Sequence, residues 1–217
     1  MYFNPYATGD IAVPYYYPPV DFVKSFTIEK PGDHAELKVL KALRSLNDTW
    51  HIFHGIEWRT LEKHGERVGE VDLILFNPDY GILFVEIKAG GVKLEAGKWY
   101  YQDRHTGETK TQMKMSPIEQ AARSRYYFYP RLEKTILGHG ILKHTAFTHT
   151  AWFPDLEWNV IHPPEIPGGS YLLDSRHLKN PEESIITIMQ QSCPHAEKWT
   201  QREINILIPV HPVLQAI

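Results

Sequence analysis

The sequence predicts an α/β protein with an α/β/α core built on a mixed sheet, and three observations carry that prediction. Residues 69–88 hold two apolar runs on either side of a turn, the pattern of a buried β-hairpin. Asp33 and Ser116 each begin a stretch with helix-start chemistry, one before the hairpin and one after it. Ala146–Phe153 adds a further apolar run that stops at Pro154. Helix, three strands, helix and strand then follow one another, an order that layers helices on both faces of one sheet.

In chain order, residues 1–32 carry Tyr15-Tyr16-Tyr17-Pro18-Pro19 and little periodicity, which reads as an extended arm with a short strand over Phe22–Ile28. Asp33 is placed as the N-cap of a helix running to about Asn47, since its carboxylate can accept a free amide of the first turn. Leu40, Leu43 and Leu46 make the apolar stripe of that helix, and Glu36 sits one turn before Leu40 on the same side. A first strand is expected over Trp50–Trp58, and Glu70–Phe76 with Ile82–Lys88 form the hairpin. Residues 90–114 are a polar, glycine-containing excursion, expected to hold another hairpin through Lys98-Trp-Tyr-Tyr with a turn at His105-Thr-Gly-Glu. Ser116-Pro-Ile-Glu119 is a capping box with proline at the first helical position, and its helix is expected to end near Tyr129, before Pro130. Beyond Pro154 the pattern predicts a loop over 162–169, a short strand over Tyr171–Leu173 and a helix over Pro181–Gln191. The division is an N-terminal arm over 1–32, a core over 33–153, and a C-terminal extension over 154–217 that packs on the core or leads to a further domain.

The hairpin carries charge where a buried strand should carry none. Asp72 lies inside the first run, and Glu86 and Lys88 end the second. Strand side chains alternate with period two, so Glu86 and Lys88 share a face, and folding about Asp79 sets Asp72 across from Glu86 on that face. Buried acids are costly unless paired or bound to a metal. The trio therefore points to a divalent-cation site with an amine beside it, as phosphodiester hydrolysis requires.

Composition sets the frame. Hydrophobic residues make 42% and charged residues 23% of 217, ordinary for a globular chain large enough to bury a core. One cysteine, Cys193, excludes an intramolecular disulfide and fits a reducing compartment. No apolar run approaches the roughly 20 residues of a membrane helix, and the start lacks a signal-peptide pattern. A cytoplasmic protein without membrane association is the expectation. Net charge is −3, but Lys98–Lys143 holds nine Lys or Arg against four acids, leaving −8 for the remainder. A basic segment beside an acidic site suits a phosphodiester substrate; the alternative is a solvated helix face.

Glu36 in the first helix, Val71-Asp72 on a strand, Glu86-Ile87-Lys88 on the next and Gln120 in the following helix resemble the PD-(D/E)xK nuclease superfamily. Within it, Gly69-Glu-Val-Asp-Leu-Ile-Leu, Gly81-Ile-Leu-Phe-Val-Glu-Ile-Lys, Trp99 and Ser116-Pro-Ile-Glu-Gln-Ala resemble the nuclease-related domain, NERD, over about residues 33–153. The superfamily's proline before the acid is replaced by Val71. This resemblance implies a restriction-endonuclease-like three-layer α/β/α core and a metal-dependent DNA endonuclease or nickase acting in repair, processing or defence. It further implies that Asp72, Glu86 and the carbonyl of Ile87 hold Mg²⁺ or Mn²⁺. Lys88 would orient or deprotonate the attacking water, Glu36 would support the metal shell or a second ion, and Gln120 would position the water or Lys88. A helicase module, in the same protein or as a partner, is a familiar neighbour of such domains, and cuts on both strands are simplest from a homodimer. The competing reading is a non-catalytic nucleic-acid-binding module that has kept the fold.

Other residues are weaker candidates. Arg123 and Arg125, with Lys114, are the expected nucleic-acid contacts, since Arg123 lies three residues beyond Gln120 on the same helix. Tyr126, Tyr127 and Tyr129 could stack on bases or form the packed face of the helix. His139, His144 and His149 recur every five residues, neither strand nor helix period, which argues against a zinc site. Cys193 lacks the partners of a catalytic thiol.

Overall fold

The computed structural model describes residues 12–20, 22, 31–62, 65–103, 106–135, 140–158 and 172–208. Its centre is a six-stranded mixed sheet of β1 (Tyr15–Tyr17), β2 (His51–Glu62), β3 (Gly65–Asn77), β4 (Gly81–Ile87), β8 (Ala146–Phe153) and β9 (Leu173–Asp174), in that spatial order. The pairs β2–β3 and β3–β4 are antiparallel, and β1–β2, β4–β8 and β8–β9 are parallel. Every residue of β4 is buried, as its unbroken apolar run requires of a strand covered on both faces. Among the described residues no helix is long and apolar enough to cross a membrane.

Helices cover both faces. On one side α1 (Pro31–Ala42) and α3 (Pro181–Ser192) bring Val39, Leu40, Ile185, Ile188 and Met189 onto Ile52, Leu73, Leu75, Leu83 and Val85. On the other, α2 (Pro117–Thr135) and α4 (Gln201–Leu207) set Tyr127, Phe128, Leu132 and Leu207 against Phe53, Ile74, Phe76, Ile82 and Phe84. The excursion between β4 and α2 is a separate three-stranded antiparallel sheet, β5 (Gly91–Glu95), β6 (Lys98–Gln102) and β7 (Thr109–Gln112). It closes a third cluster in which Val92, Trp99 and Met113 meet Ala151 and Phe153 of β8. The three-layer α/β/α expectation holds.

Several elements differ from the sequence reading. Residues 15–17, read as part of an arm, form a strand on the edge of the sheet, where Tyr16 is buried and its hydroxyl donates to Leu40 O at 3.1 Å. Three residues before two prolines are too few to show alternation, and the free edge of β2 decides their pairing. The strand expected over Phe22–Ile28, the loop over 162–169 and Tyr171 lie outside the described residues, save Phe22 itself.

Helix α1 begins at Pro31, so Asp33 is in its first turn rather than its N-cap, where its charge still favours the positive helix end. The stripe Leu40, Leu43 and Leu46 is buried, the last two from a 3₁₀ turn that continues the helix and the residue after it. The Ser116 cap is formed, with Glu119 N donating to Ser116 Oγ at 3.0 Å, but α2 passes through Pro130 and ends at Thr135. An internal proline costs about 3 kcal/mol. Burying Leu132 beyond it offsets that cost, and Arg131 donates to Tyr127 O at 3.0 Å across it. Helix α4 was missed in the sequence reading, although Thr200-Gln-Arg-Glu203 is a capping box whose two reciprocal bonds are made.

The long β2–β3 hairpin carries Trp58 across Gly69. The indole stacks on Tyr127 at 4.3 Å, and a Cβ at Gly69 would lie 2.2 Å from it. Gly69→Ala must therefore push a buried tryptophan off its stack. A loss of about 1–3 kcal/mol is expected in urea unfolding. That loss should shrink in a Trp58→Leu background, because the two changes share one contact.

His51 is buried beside Tyr15, Tyr17 and Phe76, with Tyr17 Oη 3.2 Å from its Nδ1. Burial lowers its pKa from 6.5 to about 4, so the folded chain holds it neutral. The unfolded chain takes up a proton below 6.5 and the folded chain does not, so the stability His51 contributes is complete above 6.5 and is lost as pH falls towards 4. The stability difference between wild type and His51→Gln should narrow by roughly 2–3 kcal/mol over that window, read by denaturant titration at several pH values. A constant difference would show that His51 does not titrate this way.

Candidate active site

The hairpin register brings the two acids together. Leu73 pairs with Val85, so one step further along Asp72 stands opposite Glu86. There the β3–β4 ladder stops, and Ile87 N donates to Asp72 Oδ2 at 2.6 Å. The other edge of β4 stays paired, with Lys88 N donating to Trp152 O at 3.0 Å. The N–H and C=O of one extended residue face the same neighbour, so the Ile87 carbonyl also faces the Asp72 side. Two carboxylates and a carbonyl border the gap where the sheet opens.

The charges here are poorly hydrated. Burial lifts the Asp72 carboxyl above its ordinary range against the opposing pull of the Ile87 amide and Lys88. Burial and then the Asp72 charge lift Glu86 in the same direction. The Glu86 and Lys88 side chains are 8% and 16% exposed and joined, Lys88 Nζ to Glu86 Oε1, at 2.5 Å. Burial works against the Lys88 ammonium, but Glu86, Asp72 and Tyr101 outweigh it and raise its pKa.

Gln120 completes the arrangement from α2. Its Nε2 donates to Met115 O at 3.1 Å, which fixes the amide so that Oε1 accepts from Lys88 Nζ at 3.0 Å. The Ser116 cap sets where α2 begins, and so where Gln120 stands. Of the three N–H groups on Lys88, Glu86 and Gln120 take two, leaving one for an oxygen in the cleft.

Asp72, Glu86, Lys88 and Gln120 line one cleft of about 330 Å³, together with Trp58, Glu70, Met115 and Arg123. Glu36, from α1, stands outside its lining yet feels Asp72, Glu70 and Lys88, and burial first, then those acids, raise it to about 7. Glu70, absent from the sequence-derived set, is two residues before Asp72; period two already placed it towards the same side. Trp58 and Met115 carried no such signal, since only the hairpin curl and the start of α2 bring them in.

Of the expected nucleic-acid contacts, Arg123 lines the cleft, with Nη1 3.5 Å from Met115 Sδ and no carboxylate partner among the described residues. Arg125 faces elsewhere: it donates to Phe147 O at 3.3 Å, lies over the Tyr126 ring and lines a separate groove with Tyr129 and Leu142. Lys114 is exposed ahead of α2 and outside the cleft wall. His144 is paired with Glu197 on the surface, His149 has a buried Nδ1 without a hydrogen bond, and His139 is outside the described residues.

A mixed six-stranded sheet between helices, opening beside an Asp, a Glu and a Lys on adjacent strands, defines a nuclease-like α/β fold. The family model of the nuclease-related domain, NERD, matches residues 31–149, more than half of the chain, and the chain belongs to that family. No curated protein and no solved structure matches the chain.

Proposed function

We propose that this nuclease-related chain is a metal-dependent nuclease that hydrolyses phosphodiester bonds of DNA. The observation that carries the reading is the meeting of Asp72, Glu86, Lys88 and Gln120 in one cleft from three separate elements. A binding module has no use for acids held in a poorly hydrated gap beside an ammonium.

The donor set fits Mg²⁺ or Mn²⁺. The groups free to coordinate at the gap are two carboxylates and a carbonyl, which suit a hard cation; no three of His, Cys, Asp and Glu converge on a metal position among the described residues. Two carboxylates, Asp72 and Glu86, with the Ile87 carbonyl would leave coordination positions open to water and substrate, as these ions prefer. When bound, the cation would lower the pKa of a water and neutralise charge developing on the scissile phosphate. Asp72 is held in place by the Ile87 amide. Lys88 directs its remaining N–H at the attacking water or a phosphate oxygen, and Gln120 holds the ammonium at that angle. Arg123, on the α2 side of the cleft, has no carboxylate partner among the described residues and offers its guanidinium to a flanking phosphate.

Purified protein should cleave plasmid or linear DNA with Mg²⁺ or Mn²⁺ and not with EDTA. Asp72→Ala, Glu86→Ala and Lys88→Ala should each lower the rate by about 10²-fold or more. Gln120→Ala should cost about 10- to 100-fold, because it acts through Lys88. Circular dichroism should show the fold unchanged in all four. Cleavage that survives all three first substitutions would end this reading.

Arg123→Ala should weaken DNA binding and reduce the slope of log affinity against log salt by about 0.7 on single strands or 0.9 on duplex. Arg125→Ala should leave that slope unchanged, because its guanidinium is engaged in another groove. Equal slopes in wild type and Arg123→Ala would place the substrate path elsewhere.

A further inference from the structure

We propose that Asp155, in the segment that follows β8, is a positioning residue for Lys88: its carboxylate holds the chain where β4 ends and so sets where the Lys88 side chain starts. The inference rests on the nuclease reading above and deepens it. Asp155 lies outside residues 31–149, which the family model matches, so the C-terminal extension contributes to the site.

Lys88 stands at the end of a strand. Strand β4 closes at Ile87, its ladder with β3 has already stopped at Val85, and its last pair with β8 is Ile87 with Trp152. Just past that pair, Lys88 N donates to Trp152 O at 3.0 Å. The chain then leaves the sheet through Gly90, whose φ of 77° is a left-handed conformation that glycine takes without strain. Gly90 N donates to Asp155 Oδ2 at 2.8 Å. These two bonds bracket the Lys88–Ala89 peptide unit, and Ala89 packs against the core on the α1 side. Together they hold the backbone from which the Lys88 side chain departs.

Asp155 is itself fixed. Its side chain is 8% exposed, and its Oδ1 takes the Lys38 ammonium of α1. The turn around it is closed by Leu156 N donating to Phe153 O at 3.4 Å and by Ser175 N donating to Leu156 O at 3.0 Å. One carboxylate oxygen therefore ties the exit of β4, and the other ties α1. Lys38 is half exposed, and such an ion pair contributes little to stability. The bond to Gly90 N is the one that reaches the site.

Glu86 and Gln120 hold the far end of the Lys88 side chain. Its near end depends on the backbone that Asp155 holds. A misplacement of about 1 Å at a reacting group can cost about 10²-fold in rate. Supporting hydrogen bonds behind such a group are what keep it in place.

The test compares Asp155→Ala, Asp155→Asn and Lys38→Met in the full chain, on plasmid DNA with Mg²⁺. Asparagine keeps an oxygen for Gly90 N and loses the charge, whereas Lys38→Met removes the ion pair alone. Asp155→Ala should lower kcat by about 10- to 100-fold with KM unchanged. Asp155→Asn and Lys38→Met should stay near wild type, and circular dichroism should be the same in all. A second readout needs no cleavage. With ¹³C at the lysine ε-carbons, the Lys88 resonance, assigned by its absence from Lys88→Ala, should move in Asp155→Ala and keep its place in the other two. Unchanged kcat or an unmoved resonance in Asp155→Ala, a loss carried by KM, an equal loss in Asp155→Asn, or a lost fold in Asp155→Ala would each overturn the proposal. A wild type that cleaves nothing would end the nuclease reading, and the resonance would still decide whether Asp155 positions Lys88.

Discussion

The Asp72 carboxylate takes the place of a strand. Where β3 would otherwise continue its ladder along β4, Asp72 Oδ2 accepts the Ile87 amide, and the two strands part. A buried amide without a partner costs about 1–3 kcal/mol, so the sheet can open here only because a side chain satisfies that group. The gap exposes the Glu86 carboxylate and the Ile87 carbonyl side by side while the other edge of β4 stays fixed to β8 through Lys88 N and Trp152 O. Site and sheet are thus one piece of structure.

Once the gap exists, its charge must be managed. Glu36, Asp72 and Glu86 are all pushed towards the neutral form by burial first; the Asp72 charge adds to the push on Glu36 and Glu86, and Glu70 adds to it on all three. Lys88 is the cation bonded within the group, and it bonds to Glu86 and to the Gln120 amide at once. That shared hydrogen bonding ties β4 to the first turn of α2. The position of α2 depends in turn on the Ser116 cap and on Tyr127 stacked beneath Trp58. A hairpin residue opposite Gly69 therefore helps set the position of the Lys88 amine, through a helix rather than by contact.

The small sheet is the less anticipated part. It is polar in sequence and β7 is exposed throughout, yet Trp99 stacks with Phe153 and Trp158 and anchors it to the end of β8. Asp155, just beyond β8, accepts from Gly90 N at 2.8 Å and pairs with Lys38 of α1. These contacts fix the chain that follows Lys88 against the end of β8 and against α1.

Much of this was legible without coordinates, for a physical reason. Strand alternation and a turn centred on Asp79 were enough to pair Asp72 with Glu86, because side-chain direction in a hairpin follows from counting. The Ser116 and Thr200 capping boxes mark helix starts through local hydrogen bonds, so four residues of sequence contain the whole signal. Other features depend on what a distant element offers. The pairing of Tyr15–Tyr17 with β2, the passage of α2 through Pro130 and the arrival of Trp58 and Met115 at the cleft were decided by packing partners 20 or more residues away in most cases, as in the 24-residue step from Tyr16 to Leu40. The separation of Arg123 from Arg125 shows the boundary most clearly. Two residues apart on a helix, they differ by about 200° around its axis, and only the sheet beneath decides which one faces the acids.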